Sequence, residues 1–335
     1  MAAVATPRAE TQTRFGQVLV TGGAGFLGKH LCAALAGSAS QVVCVDDLST
    51  GVRVPTSDDV HFVRHDISEP LPAPWRTTAF DTIFHLACPA SPMDYLRFPL
   101  ATLRTGAMGT ATALDIADRC GARIVLASTS EVYGDPLEHP QRESYWGNVN
   151  PIGPRSVYDE AKRYAEALAF AHHRERGTDI AVARIFNTYG PGMRPDDGRM
   201  VPTFCRQALE GMPLTVAGDG NQTRSLCYVD DTVAGLFALA DSVATGPVNI
   251  GNPAELPVLR IAEVIRDIVG AQVPIAHLPA VTDDPRRRCP DITIAREQLG
   301  WSPTTSYLTG LSATVDWFRT ELEAGRCRPT HTTPV

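Results

Sequence analysis

Apolar positions along the first half of the chain follow two alternating periods. Short, β-branched runs at Gln17–Thr21, Gln41–Asp46, His61–His65, Asp81–Leu86, Arg123–Ser128 and Asp179–Phe186 have the length and make-up of strands. Between several of them lie alanine-rich segments with apolar residues at helical spacing, over 26–37, 100–120 and 157–176. Strand and helix in alternation predict an α/β fold, a doubly wound parallel sheet covered on both faces. After Phe186 the texture changes, with proline and glycine crowding NTYGPGMRPDDGR (187–199). A helix over 201–210, strands at 214–217 and 225–229, and helices over 258–269 and 308–323 then predict a smaller C-terminal lobe that binds substrate. The apolar run Pro247–Ile250 reads as one strand returning to the main sheet, so the two parts interleave. The expected division is 16–188 plus that strand for the larger part and 189–325 mainly for the smaller one. Segments 1–15 and 326–335 read as loose tails.

Composition narrows the classes that this fold serves. Of 335 residues, 44% are hydrophobic and 20% charged, as in soluble globular proteins. A net charge of −7 leaves no basic footprint for nucleic acid. No stretch approaches the apolar length of a membrane span, and the first fifteen residues lack the apolar core of a signal peptide. Cysteines stand at 32, 44, 88, 120, 205, 227, 289 and 327, nowhere closer than twelve positions, which gives no zinc-type spacing. The expectation is no metal, reduced thiols and a cytoplasmic location. Of the 30 basic residues, only Lys29 and Lys162 are lysine. A chain so dominated by arginine keeps lysine where a compact ammonium is useful.

Two local patterns carry chemistry. Strand VLVTG runs into Gly22-Gly23-Ala24-Gly25-Phe26-Leu27-Gly28 and then an apolar helix. Such glycines permit a tight turn and let backbone N–H groups approach a pyrophosphate at the helix N-terminus. The next strand ends at Asp46, eighteen residues beyond Gly28, where a carboxylate accepts the ribose hydroxyls of NAD and repels the extra phosphate of NADP. Together these predict a Rossmann-type dinucleotide site, with Asp66 after the third strand as a candidate adenine contact. The second pattern is Tyr158 and Lys162, four apart on one helical face. A nearby ammonium is expected to lower the phenol towards neutrality and make it a base. Ser128-Thr129-Ser130 closes the neighbouring strand and offers hydroxyls to a proton relay. His85 ends an apolar strand and reads as a core histidine.

Over roughly 16–322 the chain resembles the extended short-chain dehydrogenase/reductase family. Within it, HLACPASPMDY (85–95), STSEVYGDPLEHP (128–140), YWGNVNPIGPRSVYDEAKR (145–163), ARIFNTYGPGMRPDDGR (183–199), GDGNQTRSLCYVDD (218–231) and DDPRRRCPDI (283–292) resemble the UDP-glucuronate decarboxylases. The resemblance implies that Tyr158 takes the C4 hydroxyl proton of a UDP-sugar and that Thr129 bonds the C4 oxygen. It gives Ser130 and Glu131 the C5 proton and the ring's orientation, and Arg288 the sugar carboxylate. It implies cofactor contacts from Gly22, Gly25, Phe26, Leu27, Gly28, Asp46, Asp66, Ile67, Leu86, Tyr158 and Lys162. Pro89, Tyr95, Asn187, Arg224 and Arg288 become substrate contacts, and the helices at 100–120 and 157–176 a four-helix bundle across a homodimer. Related 4,6-dehydratases carry Asp-Glu where this chain has Ser130-Glu131, and related 4-epimerases lack the glutamate. Three positions depart from the pattern: Gly106 for asparagine, Gly192 for arginine and Cys289 for lysine. Other readings remain open here: a decarboxylase that stops at the ketone and releases NADH, a UDP-sugar 4-epimerase or dehydratase, and a non-catalytic NAD(H)-sensing regulator.

Overall fold

The computed structural model describes residues 14–51, 54 and 57–326; the expected tails over 1–13 and 327–335, with Cys327, lie outside the described residues. The first tail ends earlier than expected. Phe15 already opens a strand, because its ring is buried against Phe84 and Phe237.

Six strands, β1 (Phe15–Thr21), β2 (Ala39–Asp46), β3 (Val60–Arg64), β4 (Thr82–His85), β5 (Arg123–Thr129) and β6 (Ile180–Ile185), share one parallel sheet with the returning strand Val248–Ile250. Their order is Val248–Ile250, β6, β5, β4, β1, β2, β3. Parallel strands buried on both faces read as continuous apolar runs, as Val18-Leu19-Val20 does. Successive side chains point to opposite faces, so Val18 and Val20 enter one core and Leu19 the other.

Helices cover both faces. They are α1 (Phe26–Leu35), α2 (Pro92–Arg97), α3 (Pro99–Arg104), α4 (Thr110–Cys120), α5 (Ser156–Arg176), α6 (Met200–Leu209), α7 (Val229–Asp241), α8 (Val258–Val269), α9 (Thr293–Leu299) and α10 (Tyr307–Glu323). Helices α1, α7 and α9 pack on one face, α4 and α5 on the other. A separate core joins α6, α8 and α10 with Leu214 and Val216. Segments 229–250 and 292–301 thus return to the main sheet from within the stretch expected mainly for the smaller lobe. None of the described helices is long and apolar enough to cross a membrane.

Two expected elements need correction. The strand expected over 225–229 is two short pieces, Thr223–Ser225 and Cys227–Tyr228, and helix α7 begins at Val229. No helix was expected there. Asp230 and Asp231 lie in its first turn, where carboxylates suit the helix N-terminus. Asp231 also accepts from the backbone N–H groups of Thr304 and Thr305, tying the segment before α10 to this end.

The helix expected over 100–120 is interrupted by a π-helical turn at Thr105–Gly109. A single wide turn of this kind inserts one residue into the ladder. Gly106 faces α5 there, and a Cβ on it would stand 2.6 Å from the Cβ of Ala161. The position that departs from the family pattern is therefore a close-packing contact with the helix that carries Tyr158 and Lys162. Gly106→Ala should cost about 1–3 kcal/mol by overpacking, measured by urea unfolding. Adding Ala161→Gly should recover much of that loss, and purely additive effects would mean that the two positions do not press on each other.

Candidate active site

The C-terminal ends of β1, β2, β4, β5 and β6 open into one cleft, as ligand sites of open parallel sheets do. At its dinucleotide end, Gly22 has φ +73, and a Cβ there would meet the backbone of Ala87 at 2.7 Å. A Cβ on Gly28 would meet the Gly22 carbonyl at 2.2 Å, so glycine lets α1 start directly against the turn. Asp46 ends β2 with Oδ2 accepting from Ala24 N (3.0 Å) and Oδ1 from Leu48 N (2.8 Å). Burial raises this carboxyl from its ordinary value, while the two backbone N–H groups lower it. Gly22, Gly25, Phe26, Leu27, Gly28, Asp46, Asp66, Ile67 and Leu86 all line the cleft, as expected of a dinucleotide wall. Lys29 joins them and donates to the Gly192 carbonyl at 3.1 Å, linking the glycine turn to the 187–199 loop.

At the other end, β5 delivers Thr129 and the turn Ser130–Tyr133, and α5 delivers Tyr158 and Lys162. The Tyr158 ring stacks on Tyr95 with centroids 5.4 Å apart and planes within 7°. Thr129, whose Oγ1 accepts from Glu131 N at 3.2 Å, lines the same end of the cleft as Tyr158. Lys162 Nζ donates to the Ala127 carbonyl at 2.7 Å and lies 6.0 Å from the phenol's ring centre. One expectation is corrected. Burial raises the Tyr158 phenol well above its ordinary value, with Cys88 adding to the rise. The Thr129 hydroxyl and the Arg199 guanidinium act in the opposite direction.

Glu131 lies between these parts, and one of its oxygens carries the charge pairing of the site. Oε2 accepts from Arg155 Nη2 at 2.7 Å and from Arg288 Nη2 at 3.1 Å. Arg288 also donates to the Ser130 carbonyl and is only 1% exposed. Burial pushes the Glu131 carboxyl up, but Arg288 and Arg155 outweigh it and hold it at about 2. Glu131 is therefore a carboxylate at neutral pH. Behind it, Arg224 pairs with Asp284 at 2.8 Å and donates to the Pro285 carbonyl, fastening the segment that carries Arg288.

Thr129, Ser130, Glu131, Tyr158, Lys162, Pro89 and Asn187 line the cleft, whereas Tyr95, Arg224 and Arg288 are buried behind its wall. The Asn187 Oδ1 is a buried acceptor with no partner, which a ligand N–H or O–H would satisfy. His85 is a core residue bonded to Thr21 and Thr110, its imidazole pushed down by burial to about 3.

Reading the sequence missed Arg155, Asp159 and Arg199. The first two share the helical spacing of Tyr158 and Lys162, and that was the available signal. Asp159 is buried with Oδ1 unpartnered and is pushed up to about 7, by burial first and by Glu131 second. Arg199 is far in sequence, and only the fold brings it to the cleft.

The family model described as NAD dependent epimerase/dehydratase matches residues 18–251. The chain is 49% identical to UDP-glucuronic acid decarboxylase 1 of Arabidopsis thaliana, over 91% of this chain and 70% of that protein. Among solved structures, it is similar to a Thermotoga maritima UDP-glucose 4-epimerase with UDP-glucose, at TM-score 0.86 and 29% identity over 91% and 99% of the two chains. It is also similar to the dTDP-glucose 4,6-dehydratase DesIV of Streptomyces venezuelae with NAD bound, at TM-score 0.82 and 29% identity over 92% and 98%.

The Glu131 pairing sets a pH dependence. Its carboxyl moves from an ordinary 4.5 to about 2 in the fold. A depressed carboxyl contributes stability that is complete above its unfolded value and is lost as pH falls through its folded value. The stability gap between the unaltered protein and Glu131→Gln should therefore narrow by about 3 kcal/mol from pH 6 to pH 2. Urea midpoints at stepped pH read this out, and a constant gap would show that the arginines do not hold the carboxyl down.

Proposed function

The chain belongs to the NAD dependent epimerase/dehydratase family, and from that premise we propose that its cleft converts UDP-glucuronate to UDP-xylose by decarboxylation at C6. It is an enzyme, and its cofactor is NAD. The observation that carries the reading is Glu131, held ionised by Arg155 and Arg288 beside the Tyr158–Thr129 pair. The glycine turn and Asp46 hold the cofactor. Bound there, the nicotinamide would supply reversible hydride chemistry at C4, with no net consumption of cofactor.

The residues divide the remaining work. Tyr158 takes the C4 hydroxyl proton once positive charge brought into the cleft with the cofactor, beside Lys162, offsets the burial that raises the phenol, and Thr129 steadies the oxygen as it becomes a ketone. That ketone is β to the C6 carboxylate. The C5–C6 bond then breaks, CO2 leaves, and the electron pair stays behind as an enolate. A proton taken from solvent water adds at C5 to give the 4-keto pentose, and the phenol returns its proton to the C4 oxygen as the ketone is reduced. Glu131, already ionised, serves as an acceptor that orients the ring or a water, and Ser130 helps fix that geometry. Arg288 supplies positive potential behind Glu131 and Ser130, and its direct hold on a sugar carboxylate requires its pair with Glu131 to open. Asn187 offers its orphan oxygen to the substrate, while Pro89 and Tyr95 shape the wall.

Two further parts of the reading rest on surface and thiols. Leu96, Leu100, Met108 and Tyr164 expose apolar side chains on α2, α3, the π turn and α5, which supports a homodimer through a four-helix bundle. The seven described cysteines are all free thiols, which supports a cytoplasmic location.

NMR of the products from UDP-glucuronate and NAD should show UDP-xylose and CO2, with no growth of NADH absorbance. A 4-keto pentose with NADH would instead mark a decarboxylase that stops at the ketone. An epimerised or dehydrated sugar without CO2 would overturn the reading. Tyr158→Phe should slow turnover by roughly 10²–10⁴, and an unchanged rate would remove the phenol from the mechanism.

A further inference from the structure

Outside the cleft, three segments bring a mixed set of metal-binding side chains together. His139 comes from the loop between the Ser130–Tyr133 turn and α5, Glu255 from the short strand Glu255–Pro257, and Cys289 from the strap that carries Arg288. The imidazole nitrogen, a carboxylate oxygen and the sulfur all lie within 4.8 Å of one another. His139 Nε2 is already 3.1 Å from Glu255 Oε2. None of the three lines the cleft.

We propose that His139, Glu255 and Cys289 bind one zinc-class divalent cation, with a solvent molecule in the fourth position. Nitrogen, oxygen and thiolate ligands at about 2.0–2.3 Å from Zn²⁺ in a tetrahedron stand roughly 3.3–3.6 Å apart. The His139–Glu255 pair is already that close, and the distances to the sulfur, within 4.8 Å, need to contract by up to about 1.2 Å. The donor types select the ion: one thiolate, one imidazole and one carboxylate suit zinc, whereas magnesium and calcium take oxygen ligands.

The surroundings hold the ligands as outer-shell groups do. Thr223 Oγ1 donates to Glu255 Oε1, which leaves Oε2 turned to His139. The Cys289 backbone N–H donates to Gln141 Oε1 at 2.8 Å, and Gln141 N donates back to the Cys289 carbonyl at 2.8 Å. Cys289 Sγ donates to the Pro253 carbonyl at 3.4 Å, a bond that a metal–thiolate bond can replace, and the nearby Ser225 hydroxyl is buried without a hydrogen-bond partner. Cys289 is buried, while His139 is about 30% exposed and gives the ion an entry side. On binding, the thiol proton leaves to solvent and the carboxylate and neutral imidazole bind unchanged. The bound ion then staples the strap bearing Arg288 to the loop and strand that face it.

The test uses the full protein, stripped with a chelator and dialysed against Zn²⁺ or Co²⁺. One equivalent of zinc should be retained by elemental analysis, and the cobalt form should show a thiolate-to-cobalt charge-transfer band in the near ultraviolet. Cys289→Ser should abolish that band. His139→Gln, a change at a partly exposed side chain, should keep the fold and weaken binding by more than the roughly 10–100-fold that losing an outer-shell partner costs. Absence of stoichiometric zinc, a band that survives Cys289→Ser, or an affinity untouched by His139→Gln would each overturn the site.

Discussion

A carboxylate enclosed by protein stays charged only when cations stand against it, and Glu131 meets that condition with two guanidiniums on one oxygen. Their arrangement organises everything around the reacting end of the cleft. Arg288 reaches Glu131 from a strap that Arg224 and Asp284 hold in place, and Arg155 reaches it from the residue before α5. The same helix then presents Tyr158 and Lys162 one turn apart. Breaking any one pair leaves a buried charge without its partner, a large cost compared with the worth of a surface ion pair. The strap, the β5 turn and α5 are thus fixed relative to one another by electrostatics as much as by apolar packing.

Much of the scaffold was legible because it obeys local rules. The strands of the sheet show as β-branched runs, and the glycine turn with Asp46 shows by spacing alone. Long helices such as α5 and α8 show by their periodicity. What local rules could not show were elements decided by tertiary contact. Helix α7 begins where the letters read as the end of a strand, and its start is fixed by Asp231 capping a backbone segment more than seventy residues away. The π turn at Thr105–Gly109 follows from how closely α3 and α5 approach at Gly106 and Ala161, and no single-helix period encodes it.

The site divides along the same line. Tyr158 with Lys162 was legible from spacing, and Thr129 with Glu131 from the family resemblance of the segment that holds them. Their electrostatics were not. The Lys162 ammonium donates to the Ala127 carbonyl while standing 6.0 Å from the phenol's ring centre, and Arg199, distant in sequence, adds a second cationic influence. Arg155 escaped notice although it lies three residues before Tyr158, because an arginine at a helix start reads as a solvated charge until its carboxylate is located. The trio of His139, Glu255 and Cys289 is the extreme case, since linear spacing carries no trace of ligands from three separate segments.

The protonation states bear on which chemistry the cleft favours. Expelling a hydroxyl from C6 requires an acid to protonate the leaving oxygen. Glu131, held at about 2, is no acid at neutral pH, and Ser130 next to it has no carboxyl to offer. Carbon dioxide needs no such help, because it departs without the bonding electrons and leaves them on the sugar. What its loss requires is a ketone at C4 to receive those electrons and positive potential nearby to hold them. In the proposed mechanism Tyr158 and Thr129 make and steady the ketone, and the guanidiniums of Arg288 and Arg155 stand behind Glu131. Asp159 is the neighbouring carboxyl pushed up to about 7, so it holds a proton near neutrality within the electrostatic reach of Glu131, Arg155 and Arg288. Together, an ionised glutamate and a serine lining the cleft where dehydration would need an acid agree with loss of CO2 rather than of a hydroxyl.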